Sequence, residues 1–186
     1  MQEVSEDSGT RDAEALIQAA RAGDESAFGR LVELYQAPLR AFLRSLANQE
    51  VDLADDLSQD TFIIAYRQMH KFRGEGSFLS WLMGIGYRRF LQYARKNKRR
   101  RALLQGAAEL RGGWGSPPGT LDIDIERALA RLGLEEKTAL LLKSREGFTQ
   151  SEIAEVMGLP LGTVKSHLAR SRDKMKHMLS GNEGDE

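Results

Sequence analysis

The 186-residue chain contains no cysteine, which removes disulfides, thiolate metal sites and cysteine nucleophiles together. Only three histidines occur, His70, His167 and His177, and they stand at no metal-ligand spacing to one another. No apolar run approaches the roughly twenty residues that a membrane span requires, so no direct membrane insertion is expected. The first residues are acidic and polar (Glu3, Glu6, Asp7), the opposite of a secretory leader, and the cytoplasm is the expected compartment. Nucleophile motifs and phosphate-cradling glycine loops are missing as well. No catalytic residue, metal or cofactor is therefore expected, and the chain reads as not an enzyme. An excess of either charge is absent too, with 27 basic against 27 acidic side chains.

The balance hides a segregation. Residues 88–101 carry Arg88, Arg89, Arg95, Lys96, Lys98, Arg99, Arg100 and Arg101 and no acidic residue. Acidic residues gather in the two tails, between Asp52 and Asp60, and between Asp122 and Glu126. One surface suits phosphate and another suits a basic protein partner; distribution decides this, not the sum.

The apolar periodicity is helical throughout, which predicts an all-α fold. Residues 1–10 have almost nothing to bury and are expected to lack structure. A helix from Asp12 to Ala22 should stop at Gly23, and Asp24 should cap a longer one that carries Phe28, Leu31, Leu39, Phe42 and Leu43. Pro38 lies inside that pattern and should kink or split the helix. Asp52 can cap a third helix that turns Leu53, Leu57, Thr61, Ile64 and Ala65 inward and Asp55, Asp56, Gln59 and Asp60 outward. That outward face is either a solvated acidic side or a docking surface. A glycine-containing loop, residues 71–80, precedes a helix in which Trp81 is expected to serve the core. The loop's Phe72, Arg73, Ser77 and Phe78 suit either ordinary turn chemistry or a pocket for an unstacked base. The basic run that follows suits phosphate contacts. Residues 104–122, with G-G-W-G-S-P-P-G, break the periodicity and read as a flexible linker. Two small helical domains result, 11–103 and 123–179, with an acidic tail at 180–186.

The second domain holds the sharpest local signal. Thr149 and Glu152 form a T-x-x-E capping box, Gly158 stops the helix that it starts, and Pro160 opens another. Val164, Leu168, Ser171, Met175 and Met178 fall on one stripe of that last helix, opposite Lys165, Ser166, Ala169 and Arg170. The pattern is a helix-turn-helix, whose second helix enters the DNA major groove, or else a helical hairpin with a solvated basic face.

The run E-G-F-T-Q-S-E-I-A-E-V-M-G-L-P-L-G-T-V-K-S-H-L-A-R-S-R resembles the promoter-binding fourth region of bacterial sigma factors of the extracytoplasmic-function group, in the sigma-70 family. D-D-L-S-Q-D-T-F-I-I-A-Y resembles the segment with which these factors grip the polymerase clamp. F-R-G-x-x-x-F-x-x-W-L is similar to the segment that captures a flipped base of the −10 element. The resemblance, over about residues 12–179, implies a factor that binds core RNA polymerase and directs promoter-specific initiation, of a stress or envelope-response regulon. It implies polymerase contacts at Asp55, Asp56, Leu57, Gln59 and Asp60. For the −10 element it implies Phe72, Arg73, Ser77, Phe78, Arg88, Arg89, Arg95 and Lys96. For the −35 element it implies Thr163, Lys165, Ser166, Ala169, Arg170, Arg172 and Lys174. It further implies an anti-sigma factor, often membrane-anchored, as a partner. Two departures stand out: G-I-G-Y-R-R, residues 84–89, replaces the usual R-I-A-x-N, and Gly133 stands where proline is common. A free-standing repressor or activator is the alternative; it would leave the acidic face and the basic first domain idle.

Overall fold

The computed structural model describes residues 4–104, 125 and 128–180, and every element of it is helical. Helix α1 is Val4–Arg21, α2 Glu25–Leu46, α3 Val51–Arg67 and α4 Phe78–Leu104, with a 3-10 turn at Met69–Lys71. After a short helical stretch that includes residues 128–130, α5 is Leu134–Ser144, α6 Gln150–Met157 and α7 Leu161–Ser180. The expected linker from residue 105 and the expected acidic tail from residue 181 lie outside the described residues, whereas Leu104 and Ser180 close α4 and α7.

Three boundaries differ from the sequence expectation. Helix α1 starts at Val4 and not at Asp12. The side chain of Asp24 caps α2 as expected, accepting the Ala27 N–H at 3.0 Å. Pro38, however, does not split α2, which is one element. The lost hydrogen bond falls on the Leu34 carbonyl, and Leu34 is 53% exposed, where water can take the donor's place. The four core residues after the proline, Leu39, Phe42, Leu43 and Leu46, hold the helix on course. Helix α3 begins one residue ahead of Asp52, so that Asp52 lies in its first turn and Glu50 precedes it without a side-chain cap.

Leu31, Leu39, Phe42, Leu43, Leu82 and Met83 form the centre of the first unit, α1–α4. Gly86 on α4 lets that helix approach its neighbours: a Cβ there would meet Leu39, Leu43 and Thr61 at 3.3–3.4 Å. Leu142, Ile153, Val164 and Leu168 form the centre of the second unit, α5–α7. The two centres join into one apolar cluster, because α6 packs on α4 and α5 on α2. Lys137 donates to Asn48 Oδ1 at 2.6 Å and Arg145 to Ser45 Oγ at 2.8 Å across this seam. Tyr87 is also buried there; burial first, then Glu135, pushes its hydroxyl up to about 12, against a hydrogen bond with Thr138.

Candidate nucleic-acid interface

The turn between α6 and α7 is built as its sequence dictates. Thr149 Oγ1 accepts the Glu152 N–H at 3.2 Å, and Glu152 Oε2 accepts the Thr149 N–H at 2.9 Å, a complete capping box. Gly158 takes the left-handed conformation, φ 65°, that ends α6. The Pro160 carbonyl then accepts from Val164 at 3.2 Å and starts α7. Val164, Leu168 and Ser171 are buried, with the Ser171 hydroxyl donating to the Leu168 carbonyl at 3.0 Å. That pins the helix with Lys165, Ser166, Ala169, Arg170 and Arg172 exposed and Thr163 half-buried at its start. Ser166 Oγ donates to the Gly162 carbonyl at 3.0 Å, so its hydroxyl is turned back on its own helix.

A residue with no local signal stands behind this face. Glu136 on α5 is buried, yet its carboxylate gathers three donors: Lys174 Nζ at 2.7 Å, Arg170 Nε at 3.3 Å and the Gly133 N–H at 3.3 Å. The Lys174 hydrogen bond, above all, holds this carboxyl below the usual carboxylate range, against the opposing effect of burial. Arg170 Nη2 also lies 3.1 Å from His167 Nδ1. Sequence reasoning missed Glu136, since its partners lie 34 and 38 positions away; only Gly133–Glu136 spacing was local.

The loop before α4 is organised by Ser77, whose hydroxyl accepts the Ser80 N–H at 3.0 Å and caps the helix. Phe72 and Phe78, which the resemblance places at the −10 element, are buried at 5% and 3% exposure. They pack with each other (ring centroids 5.5 Å apart) and with Trp81 (5.3 and 5.6 Å), because an apolar ring beside the core gains more from packing than from water. Trp81, read as core, is half-buried and forms a wall of a cavity with Arg73 and Arg88. The opposite wall comes from α6, at Glu155 and Val156. Val156 is buried, and a Cβ at Gly84 would sit 3.6 Å from its Cα. Gly84, where the family usually has arginine, thus gives α6 its seat on α4. Arg89 is not an open phosphate contact: it is ion-paired with Asp60 and donates to Gln92 Oε1 at 2.9 Å. Arg95 and Lys96 remain exposed along α4.

The acidic face of α3 is less acidic than its sequence. Asp55 takes a two-pronged hydrogen bond from Arg40, 2.7 Å on each arm, and Asp60 is held by Arg89. Asp56 and Gln59 are exposed, whereas Leu57 is buried at 4% and supports the helix from inside. Ile63 and Tyr66 continue the outward side, 49% and 44% exposed, an apolar extension that the sequence reading did not single out. No group of three or more metal-ligating side chains occurs among the described residues. Nor is any described helix long and apolar enough to cross a membrane.

Residues 31–100 match the family described as Sigma-70 region 2, and residues 122–175 match Sigma-70, region 4. The ECF RNA polymerase sigma-E factor of Haemophilus influenzae is 30% identical over 89% of this chain and 94% of its own length. The RNA polymerase sigma factor NccH of Alcaligenes xylosoxydans xylosoxydans is 32% identical over 91% and 96%. Among solved structures, the sigma factor RpoE of Bartonella quintana, in complex with the anti-sigma factor NepR, superposes with a TM-score of 0.70. It is 30% identical and covers 82% of this chain and 96% of its own. CnrH, in complex with the cytosolic domain of CnrY, gives 0.66 at 25% identity over 91% and 98%. With both regions matched in order and relatives covered over nearly their whole length, the chain belongs to the extracytoplasmic-function sigma factors of the sigma-70 family, alternative sigma factors that bind core RNA polymerase and promoter DNA and direct transcription initiation.

Proposed function

We propose that α7 reads the −35 element through Lys165, Ser166, Ala169 and Arg170, with Thr163, Arg172 and Lys174 on flanking phosphates. The observation that carries this reading is the exposed polar face of α7, fixed by the buried Val164, Leu168 and Ser171 and led by a left-handed Gly158 turn. In the first unit, the Arg73–Trp81–Arg88 cavity takes an unstacked −10 base once α6 withdraws, and Arg95 and Lys96 hold phosphates. Phe72 lines that cavity, Phe78 packs on Phe72 and Trp81, Ser77 caps α4, and Arg89 ties α4 to α3. Asp56, Gln59 and the apolar Ile63 and Tyr66 dock on polymerase, with Asp55 and Asp60 held in place by Arg40 and Arg89 and Leu57 supporting the helix. Chemistry at these positions comes from binding, and no covalent step is assigned to the chain. An anti-sigma factor covers these faces and ties the factor to a stress or envelope-response regulon; the RpoE relative is itself in complex with an anti-sigma factor.

The test is run-off transcription from a promoter library with purified core polymerase, with and without this protein. Defined start sites that require both components are expected, and the selected templates give both promoter elements. Specific operator binding by the protein alone, without a new transcript, would overturn the reading in favour of a free-standing regulator.

A further inference from the structure

The base-reading arginine is not alone on its helix face. A guanidinium has two donor edges, and a guanine accepts a pair of parallel N–H bonds at O6 and N7. In Arg170 the Nε side faces back to Glu136 Oε1 at 3.3 Å and Nη2 lies 3.1 Å from His167 Nδ1, so neighbours orient the guanidinium while the side chain stays exposed. Glu136 is 8% exposed, while the Arg170 and Lys174 side chains that it holds are 55% and 50% exposed. A buried anion on α5 therefore grips two exposed cations on α7 from the protein side. Its other donor is the Gly133 N–H, the backbone group at the point where α5 begins.

We propose that Glu136 is a positioning residue for −35 recognition: it never touches DNA, but it fixes the guanidinium of Arg170 in one orientation, and so sets base discrimination at that position. The proposal rests on the reading that α7 lies in the −35 major groove. Two consequences follow from the geometry. Pairing before DNA arrives means that less rotamer freedom is lost on binding, which favours the one base pair that matches the fixed edge. Pairing also offsets charge: with Glu136 neutral, Arg170 and Lys174 are released toward phosphate, which is the same in every sequence. Loss of the carboxylate should thus lower discrimination without lowering general affinity. A carboxylate that merely holds α5 against α7 would instead weaken binding to all sequences together.

The experiment uses full-length protein in holoenzyme with core polymerase, and a promoter fragment from the run-off selection with each −35 base pair changed in turn. Glu136→Gln should reduce the preference for the selected base pair at the Arg170 position by about tenfold. Affinity for unrelated DNA should stay level or rise, with a steeper salt dependence. In an Arg170→Ala background, Glu136→Gln should remove nothing further at that position. If Arg170→Ala flattens the profile and Glu136→Gln leaves it unchanged, or lowers all affinities equally, the positioning role is overturned while the −35 reading stands. If Arg170→Ala itself leaves the profile unchanged, the base-reading role of Arg170 fails, and the proposal with it. Should Glu136→Gln fail to fold, Glu136→Asp carries the test, since it keeps the charge on a side chain one methylene shorter. A narrower discrimination at the same position then supports the proposal, and an unchanged or uniformly weakened profile overturns it.

Discussion

The two regions proposed to meet DNA stand in different states. The outward face of α7 is open, with Lys165, Ser166, Ala169 and Arg170 all exposed. The cavity beside the loop before α4 is shut on one side by Glu155 and Val156 of α6. Duplex DNA is read by a convex, stiff helix that needs only to be exposed and correctly turned. An unstacked base needs a concave site with an apolar wall, and that same wall attracts any apolar side chain within reach. Val156 answers that description, and Gly84 leaves it room. Because α6 belongs to the helix-turn-helix and also covers the first unit, movement of the second unit and access to the cavity are one event.

The largest effect is expected on the open side. Arg170→Ala should cost about 1–3 kcal/mol at one base pair of the −35 element and relax selection there, as measured by binding to singly substituted fragments. An equal loss for all sequences would return Arg170 to the phosphate-contacting set. Next comes the covered side. Gly84→Arg places a long cation where α6 sits, and should raise the affinity of the polymerase-free protein for a single-stranded −10 oligonucleotide on the order of tenfold, because the competent state is no longer the minor one. Gly84→Ala is the control: a lone Cβ meets Val156 Cα at an ordinary 3.6 Å and Arg88 Nη1, the far end of a flexible side chain, at 3.3 Å, so the cover should survive. Unchanged binding in Gly84→Arg would show that α6 does not compete for the cavity. Thr149→Ala should reach both regions at once. It removes the N-cap of α6 and should lower stability by about 1 kcal/mol, read from the denaturant midpoint.

These regions were also unequally legible. The helix-turn-helix could be read from local chemistry alone, since Thr149–Glu152, Gly158, Pro160 and the stripe from Val164 to Ser171 each act within a few residues. The inward positions of α3 followed from period as well, with Leu57, Thr61 and Ala65 buried as expected. Periodicity says that a face is covered and not by what. Val156 is buried, and nothing in its own helix reveals Gly84 as its seat. Phe72 and Phe78 looked available in a glycine-containing loop, and were claimed by Tyr35 and Trp81 (Tyr35 and Phe78 centroids 5.1 Å apart). Asp55 and Asp60 looked like free charge until Arg40 and Arg89 arrived from other helices. Apart from the local contacts of Phe72 and Phe78 with Trp81, the cause is pairing between distant positions, which no window of sequence contains. The seat for Glu136 belongs to the same class.

The smallest expected effect distinguishes position from charge on the open helix. Arg172 is exposed two residues beyond Arg170, and it is expected at phosphate and not at a base edge. Arg172→Ala should lower affinity for every promoter fragment by a similar factor and leave the ranking of sequences intact. Neutralising one phosphate contact releases one fewer counterion, so the slope of log affinity against log salt should fall by about 0.9. Binding titrations between low and moderate salt measure that slope directly. Because the effect is electrostatic, it should fade as salt rises, whereas the Arg170→Ala loss at its one base pair should persist. A deficit for Arg172→Ala that is confined to a single base change would move this residue into the reading set, and would widen the reading face of α7 by half a turn.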